Sequence, residues 1–188
     1  MTTARKGIVK YLAVAGHALL ALVFGQPAQA QLTRAPDFTL QAALGGKDMN
    51  FSLAQALKKG PVVIFFYPKS FTSVCTEEAH LFAEAMDEFE KHGASVIGIS
   101  SDKIETQREF SASECRDRFP VAADPDMAVI KAYQVTFGGI GAVLPFSDRV
   151  SFVIAPDGSI LSRVKSGDAS PHVQKSLEAV KAFAAGKR

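Results

Sequence analysis

Val62-Val63-Ile64-Phe65-Phe66-Tyr67-Pro68, followed by Lys69-Ser70-Phe71-Thr72-Ser73-Val74-Cys75, is the stretch that decides the fold. An unbroken run of β-branched and aromatic residues reads as a strand covered on both faces, and Pro68 stops it. Beyond the loop the period changes. Cys75, Ala79, Phe82, Met86 and Phe89 recur at helical spacing and line one face, while Glu77, Glu78, Glu84, Asp87 and Glu88 fall mostly elsewhere. Lys91-His92-Gly93 closes this helix. Gly93 suits a left-handed C-terminal position, and the basic side chains suit the negative helix end. Ser95-Val96-Ile97-Gly98-Ile99-Ser100 then reads as a second buried strand. A strand, a helix and a strand in this order make a parallel pair with a right-handed crossover.

The flanks extend this unit. Upstream, Phe38-Thr39-Leu40 and Asn50-Phe51-Ser52 flank Gly45-Gly46-Lys47, which suggests a hairpin. Ser52 is placed to cap a short helix over 53–58. Downstream, the pattern predicts a polar amphipathic helix over 103–114, an extended stretch over 119–123 and a short helix over 128–133. The Gly-rich apolar stretch 136–147 has no period and reads as a loop. Val150 to Ile154 and Ile160 to Val164 flank Pro156-Asp157-Gly158, a strong hairpin signal. A last helix from about Pro171 carries Val173, Leu177, Val180 and Phe183 on one face. No repeat or low-complexity linker interrupts residues 31–188, so they are expected to form one α/β domain.

The first thirty residues differ in kind. Arg5, Lys6 and Lys10 precede an apolar run from Tyr11 to Phe24, and Ala28-Gln29-Ala30 follows. Positive charge, apolar run and A-x-A triplet are the order of a secretory signal peptide. The run is about 14 residues, short of the roughly 20 that span a bilayer. Residues 1–30 are therefore expected to be a signal cleaved after Ala30, delivering the domain outside the cytoplasm, into a bacterial periplasm. A membrane contact is expected only if the segment stays uncleaved.

Composition excludes more than it identifies. The net charge is +2 with no basic block, which argues against a nucleic-acid partner. The chain has two cysteines, too few for a stabilising disulfide framework, but a pair outside the cytoplasm invites a disulfide. There is no C-x-x-C, no phosphate-binding glycine loop and no clustered metal-ligand motif. No metal or organic cofactor is implied.

Cys75 carries the chemistry. It opens the predicted helix, where unpaired backbone N–H groups and the positive helix end favour a thiolate. Thr72, three residues earlier, could hydrogen-bond to the sulfur or to a substrate, or could serve only as a helix cap. Full ionisation of an ordinary thiol gains about thirtyfold at pH 7. Anything faster requires fixed donors and a cation that stabilise charge on the leaving group. Arg149, just before the strand at Val150, is a candidate for that cation.

Pro68-x-x-x-Thr72-x-x-Cys75 is similar to the P-x-x-x-T-x-x-C signature of peroxiredoxins. Phe65-Phe66-Tyr67-Pro68-Lys69 and Cys75-Thr76-Glu77-Glu78-Ala79 resemble the bacterioferritin comigratory protein (PrxQ) branch of the alkyl hydroperoxide reductase/thiol-specific antioxidant superfamily. Arg149-Val150-Ser151-Phe152-Val153-Ile154-Ala155-Pro156-Asp157-Gly158 resembles that family's R-x-x-F-[VL]-I-x-x-x-G strand. The likeness begins at Ala35-Pro36-Asp37-Phe38-Thr39-Leu40 and covers nearly the whole of residues 31–188.

The resemblance implies a thioredoxin-like fold with a central mixed sheet, and a thiol peroxidase acting on hydrogen peroxide or organic hydroperoxides. Cys75 would attack O–O and become a sulfenic acid. Thr72 and Arg149 would bind the peroxide, Pro68 would shield the site, and Glu78 would help hold the arginine. The reductant would be a thioredoxin-like protein or a small thiol, and the assembly a monomer or homodimer.

The chain also departs from the branch. Many members carry a resolving cysteine five residues after the first, where this chain has His80, read as a solvated helix residue. Cys115, near the end of the following helix, is either the resolving thiol or a spectator. In the second case the enzyme would work with one cysteine and an external thiol. Resolution requires the two Cα atoms to approach within about 7 Å. Two other classes of function stay open. One is a non-catalytic binding or chaperone-like protein using the apolar Phe137–Phe146 stretch. The other is a thiol–disulfide oxidoreductase, which the missing C-x-x-C disfavours.

Overall fold

A computed structural model describes residues 32–138 and 144–186. The expected signal segment, residues 1–30, and part of the expected 136–147 loop lie outside the described residues. The described residues form one compact unit.

The run Val62 to Phe66 is buried at every position, and it forms one of the five inner strands, those paired on both sides. The hairpin strands β1 (Thr39–Leu44) and β2 (Lys47–Ser52) come first, joined at Gly45-Gly46. Ser52 caps the short helix α1 (Leu53–Leu57), its hydroxyl accepting from the Gln55 amide at 3.4 Å. Then follow β3 (Val62–Phe66), α2 (Ser73–Lys91), β4 (Ser95–Ser100), α3 (Ile104–Ser113), β5 (Val121–Ala123) and α4 (Ala128–Ala132). The chain ends with β6 (Val150–Ile154), β7 (Ile160–Lys165) and α5 (Ser170–Ala184). The seven strands make one mixed sheet in the order β2-β1-β5-β4-β3-β6-β7. β3 runs parallel to β4, and β4 to β5. β6 is antiparallel to β3, and β1 to β5. This is the expected thioredoxin-like α/β architecture.

The period of two along the inner strands sorts side chains onto two covered faces. Val62, Ile64 and Phe66 join Phe38, Ile130, Tyr133 and Phe152 on one face. Val63, Phe65 and Tyr67 join Phe82, Phe89, Phe110 and Val153 on the other. Phe65 stacks on Phe82 with ring centroids 4.4 Å apart, and such a pair adds about 0.5–1.5 kcal/mol beyond its buried area. Gly98 of β4 makes room for that ring: a Cβ there would stand 2.6 Å from Phe65 Cζ.

Register sets up the site. Phe66, the last residue of β3, pairs with Val150, the first of β6. The chain therefore leaves β3 and enters β6 at the same edge of the sheet. Arg149, Ser151 and Val153 alternate with the residues of the first face, which directs them toward α2 and α5.

Several boundaries differ from the sequence reading. α2 begins at Ser73, two residues before Cys75, because Ser73 and Val74 belong to the first turn but not to its apolar stripe. Phe119 and Pro120 precede β5 rather than join it. On α5, Val173 and Val180 are buried, and so are His172 and Ser176, whereas Leu177 and Phe183 are only half-buried.

Candidate active site

Thr72 is the N-cap of α2, with extended backbone at φ −85° and ψ 150°. Its hydroxyl donates to the Lys69 carbonyl at 3.0 Å, not to the sulfur, and it accepts no cap bond. Cys75 is thus the third residue of the helix, in the turn whose amides lack intrahelical partners. Its side chain is only 1% exposed.

The preceding loop is held from below. The Ser70 amide donates to Asp102 Oδ2 at 2.7 Å, and the Ser100 hydroxyl donates to the same oxygen at 2.9 Å. The Tyr67 phenol donates to Gln107 Oε1 at 2.6 Å, and Gln107 Nε2 donates to Ser100 Oγ at 2.8 Å. Burial pushes the Tyr67 phenol up, so it remains a donor. Phe71 takes φ 63°, a left-handed conformation uncommon without glycine, and its ring meets Phe110 edge-on at 5.2 Å. Half-buried Pro68 ends β3 and begins this loop. Ser70, Asp102 and Gln107 had no signal in the sequence, because their partners lie 32 to 40 residues away.

Arg149 brings Cys75 and Glu78 together. Its Nη2 donates to Cys75 Sγ at 3.2 Å, and its Nη1 pairs with Glu78 Oε2. The Glu78 side chain is fully buried and that of Arg149 is 9% exposed. By periodicity Glu78 was expected among the acids of the polar face, and by the resemblance beside the arginine. It lies on the inner face, one turn beyond Cys75, which the three-residue spacing would have indicated. Burial pushes the Glu78 carboxyl up, while the charge and hydrogen bond of Arg149 pull it down. Burial outweighs that pull and leaves the carboxyl raised, and Arg149 is the group that favours its charged form. For Arg149, burial works against the charge, but attraction from Glu78 and Cys75 outweighs it and leaves the group raised. A thiol and a carboxyl therefore share one guanidinium in a nearly dry pocket.

Behind Glu78 stand two residues that the sequence did not single out. Nδ1 of the fully buried His172 lies 2.7 Å from Ser151 Oγ and 3.8 Å from Glu78 Oε1.

Cys115 is not part of this cluster of polar contacts. It lies just past α3, fully buried, and both cysteines are free thiols. Burial pushes its thiol well up, and Glu114 and Asp117 add to the effect. Arg116 and Asp117 follow at φ 51° and 56°, two consecutive left-handed residues without glycine. His80, expected to be solvated, is half-buried, and its Nε2 lies 2.8 Å from Glu114 Oε2. It ties the second turn of α2 to the residue beside Cys115.

The apolar cavity lined by Leu44, Met49, Phe51, Gln55 and Val96, about 440 Å³, opens near the start of β4, at the opposite end of the strands. No cysteine or histidine lines it. Among the described residues, no group of three or more His, Cys, Asp or Glu is placed to hold a metal ion.

Residues 32–163 match the AhpC/TSA family. A putative peroxiredoxin of Mycobacterium tuberculosis is 35% identical over 135 residues, covering 71% of this chain and 86% of that protein. The crystal structure of peroxidoxin BcpB from Mycobacterium tuberculosis superposes with a TM-score of 0.72 at 32% identity, over 82% of this chain and 99% of that one. A structure of Xanthomonas campestris peroxiredoxin Q gives 0.66 at 30% identity, over 77% of this chain and 91% of that one.

Proposed function

The chain belongs to the AhpC/TSA family and is a thiol-dependent peroxidase, and on that premise we propose that Cys75 is the sulfur that attacks the peroxide. The observation that carries this assignment is the Arg149 guanidinium, bonded at once to Cys75 Sγ and to Glu78. A cation at this point stabilises negative charge on the sulfur beforehand. It can also stabilise the charge that moves onto the leaving oxygen as O–O breaks. The Cys75 thiolate forms an S–O bond to one peroxide oxygen, the O–O bond breaks, and the other oxygen takes up a proton. The products are a Cys75 sulfenic acid and water or an alcohol. In this reading Pro68 and the loop after it would limit access of water, and the Thr72 hydroxyl, at the N-cap of the same helix, would help hold the peroxide.

The second half of the cycle is assigned to Cys115. Its thiol attacks the sulfenic sulfur, forming an intramolecular disulfide and releasing water. A thioredoxin-type protein or a small thiol then reduces the disulfide. In the resting fold Cys115 is buried and protonated, so the 114–118 segment must open first. The left-handed pair at Arg116-Asp117 makes that segment a favourable place for local unfolding.

Replacing Cys115 by Ser tests this step. The variant should consume about one equivalent of peroxide per protein, accumulate sulfenic acid on Cys75, and lose turnover with a thioredoxin-type reductant. Unchanged turnover with that reductant would instead favour the one-cysteine cycle.

We also propose that the chain is exported. The basic residues, apolar run and A-x-A triplet before Gln31 support cleavage after Ala30 and a bacterial periplasmic location. Protein recovered from a periplasmic extract should begin at Gln31, and an intact N-terminus confined to the cytoplasm would refute this.

A further inference from the structure

We propose that His172 is a positioning residue for the Cys75 reaction, keeping the Glu78 carboxylate turned to Arg149 only while its ring is neutral. This inference deepens the peroxidase reading and rests on it.

The geometry fixes the tautomer. His172 Nε2 lies 3.3 Å from the Ser166 carbonyl, which can only accept, so Nε2 carries a proton. In the neutral ring Nδ1 is then an acceptor, and the Ser151 hydroxyl donates to it at 2.7 Å. Glu78 Oε1 is fully buried and has no hydrogen-bond partner among the described residues. It faces the edge of the ring at 3.8 Å and finds no donor there. Glu78 therefore has one cation to bind, Arg149, and that bond orients the guanidinium over the sulfur.

A proton on Nδ1 changes this arrangement. It creates a donor and a positive charge beside the vacant carboxylate oxygen. Two cations would then share one buried carboxylate, and each weakens the other's hold. Arg149, bonded to Glu78 on one side and to sulfur on the other, is the group displaced. The charged groups facing His172 are Glu78 from α2 and Arg149 at the start of β6. β7 is followed by the Ser166 carbonyl, and Lys165 on β7 is engaged with Asp148 at 2.6 Å. Burial and the charge of Arg149 pull His172 down, against the Ser166 hydrogen bond, so the ring is neutral at neutral pH and protonates on the acid side. The sign follows: reactivity is intact above this transition and is lost as pH falls through it.

The test is the second-order rate constant of the full-length reduced protein with hydrogen peroxide, measured against pH. In the wild type a proton on His172 switches the site off, so below that transition the rate should fall by up to about tenfold more per pH unit than in a variant that cannot take up this proton. H172N retains an acceptor for Ser151 but cannot take up a proton, so its profile should lack this added acid loss. Ser151→Ala is the second variant. It removes the hydroxyl that favours the neutral ring, so the steep limb should move to higher pH. Three profiles of the same slope and midpoint, with normal peroxide reaction, would overturn the role of His172 while leaving Cys75 in place. Absence of reaction at every pH would overturn both.

Discussion

Cys75→Ser should reduce peroxide consumption to the rate of protein-free buffer, a loss on the order of a thousandfold or more. The serine hydroxyl has nearly the volume of the thiol, so the packing against Ala79 and Phe82 persists and the fold should be kept. What disappears is the nucleophile: an alcohol is neither ionised nor soft enough to open O–O at neutral pH. The other sulfur cannot substitute. Cys115 is fully buried, and its thiol is pushed well up by that burial, so little thiolate forms at neutral pH. Peroxide loss in the presence of a reducing thiol measures the effect. A variant that retained a tenth of the wild-type rate would move the chemistry to Cys115.

Arg149→Ala should slow the reaction with peroxide by about 100- to 1000-fold, the range seen when one preorganised donor is removed from a transition-state site. Two effects act together. The sulfur loses the donor that stands 3.2 Å from it, and the leaving oxygen loses its cation. Glu78 loses the group that favours its charged form, and with burial pushing its carboxyl up it takes a proton. Breaking a buried pair also costs about 3–5 kcal/mol of stability when a charge is stranded, and protonation of Glu78 offsets part of that. Arg149→Lys separates the contributions. It keeps a charge but cannot bridge sulfur and carboxylate with a planar fork, so its rate should fall between those of the alanine variant and the wild type. Stopped-flow measurement of the sulfenic acid step distinguishes these outcomes. Rates within threefold of wild type for both variants would exclude Arg149 from the reaction.

The sheet was legible because its inner strands have no exposed face. A run such as Val62 to Phe66 leaves no other reading, and the change of period at Cys75 marks the helix as plainly. The proximity of Cys75 and Arg149 was also legible, since one register, Phe66 against Val150, brings the chain segments that carry them to the same end of adjacent strands. Boundaries set by polar residues were less so: Ser73 and Val74 form a helical turn without extending its apolar stripe. The resemblance named Glu78 as the group that helps hold the arginine, and the turn of the helix buries it while its neighbour Glu77 stays exposed. What could not be read was the rest of the support. His172 flanks the apolar stripe of α5 as any surface histidine would. Its role depends on Ser151, 21 residues earlier, and on Glu78 in a third element. The contact between His80 and Glu114 is of the same kind, spanning 34 residues with no local pattern.

These supports share a physical logic. The pocket around Cys75 excludes water, and in a dry site each charge must be matched by a specific neighbour. Arg149 matches Cys75 and Glu78 together, so in the proposed reaction the guanidinium would serve as both anchor and catalyst. The same burial holds the Cys115 thiol protonated, so in the proposed cycle the first step would occur in the closed fold and the second would wait for its segment to open.

The most direct test is to add one equivalent of hydrogen peroxide to the fully reduced protein and follow the masses of its cysteine peptides over time. Cys75 should gain one oxygen first, and a Cys75–Cys115 disulfide should then replace that product as the peroxide disappears. If both cysteines remain thiols while the peroxide persists, Cys75 is not the peroxide-reactive sulfur and the account is wrong.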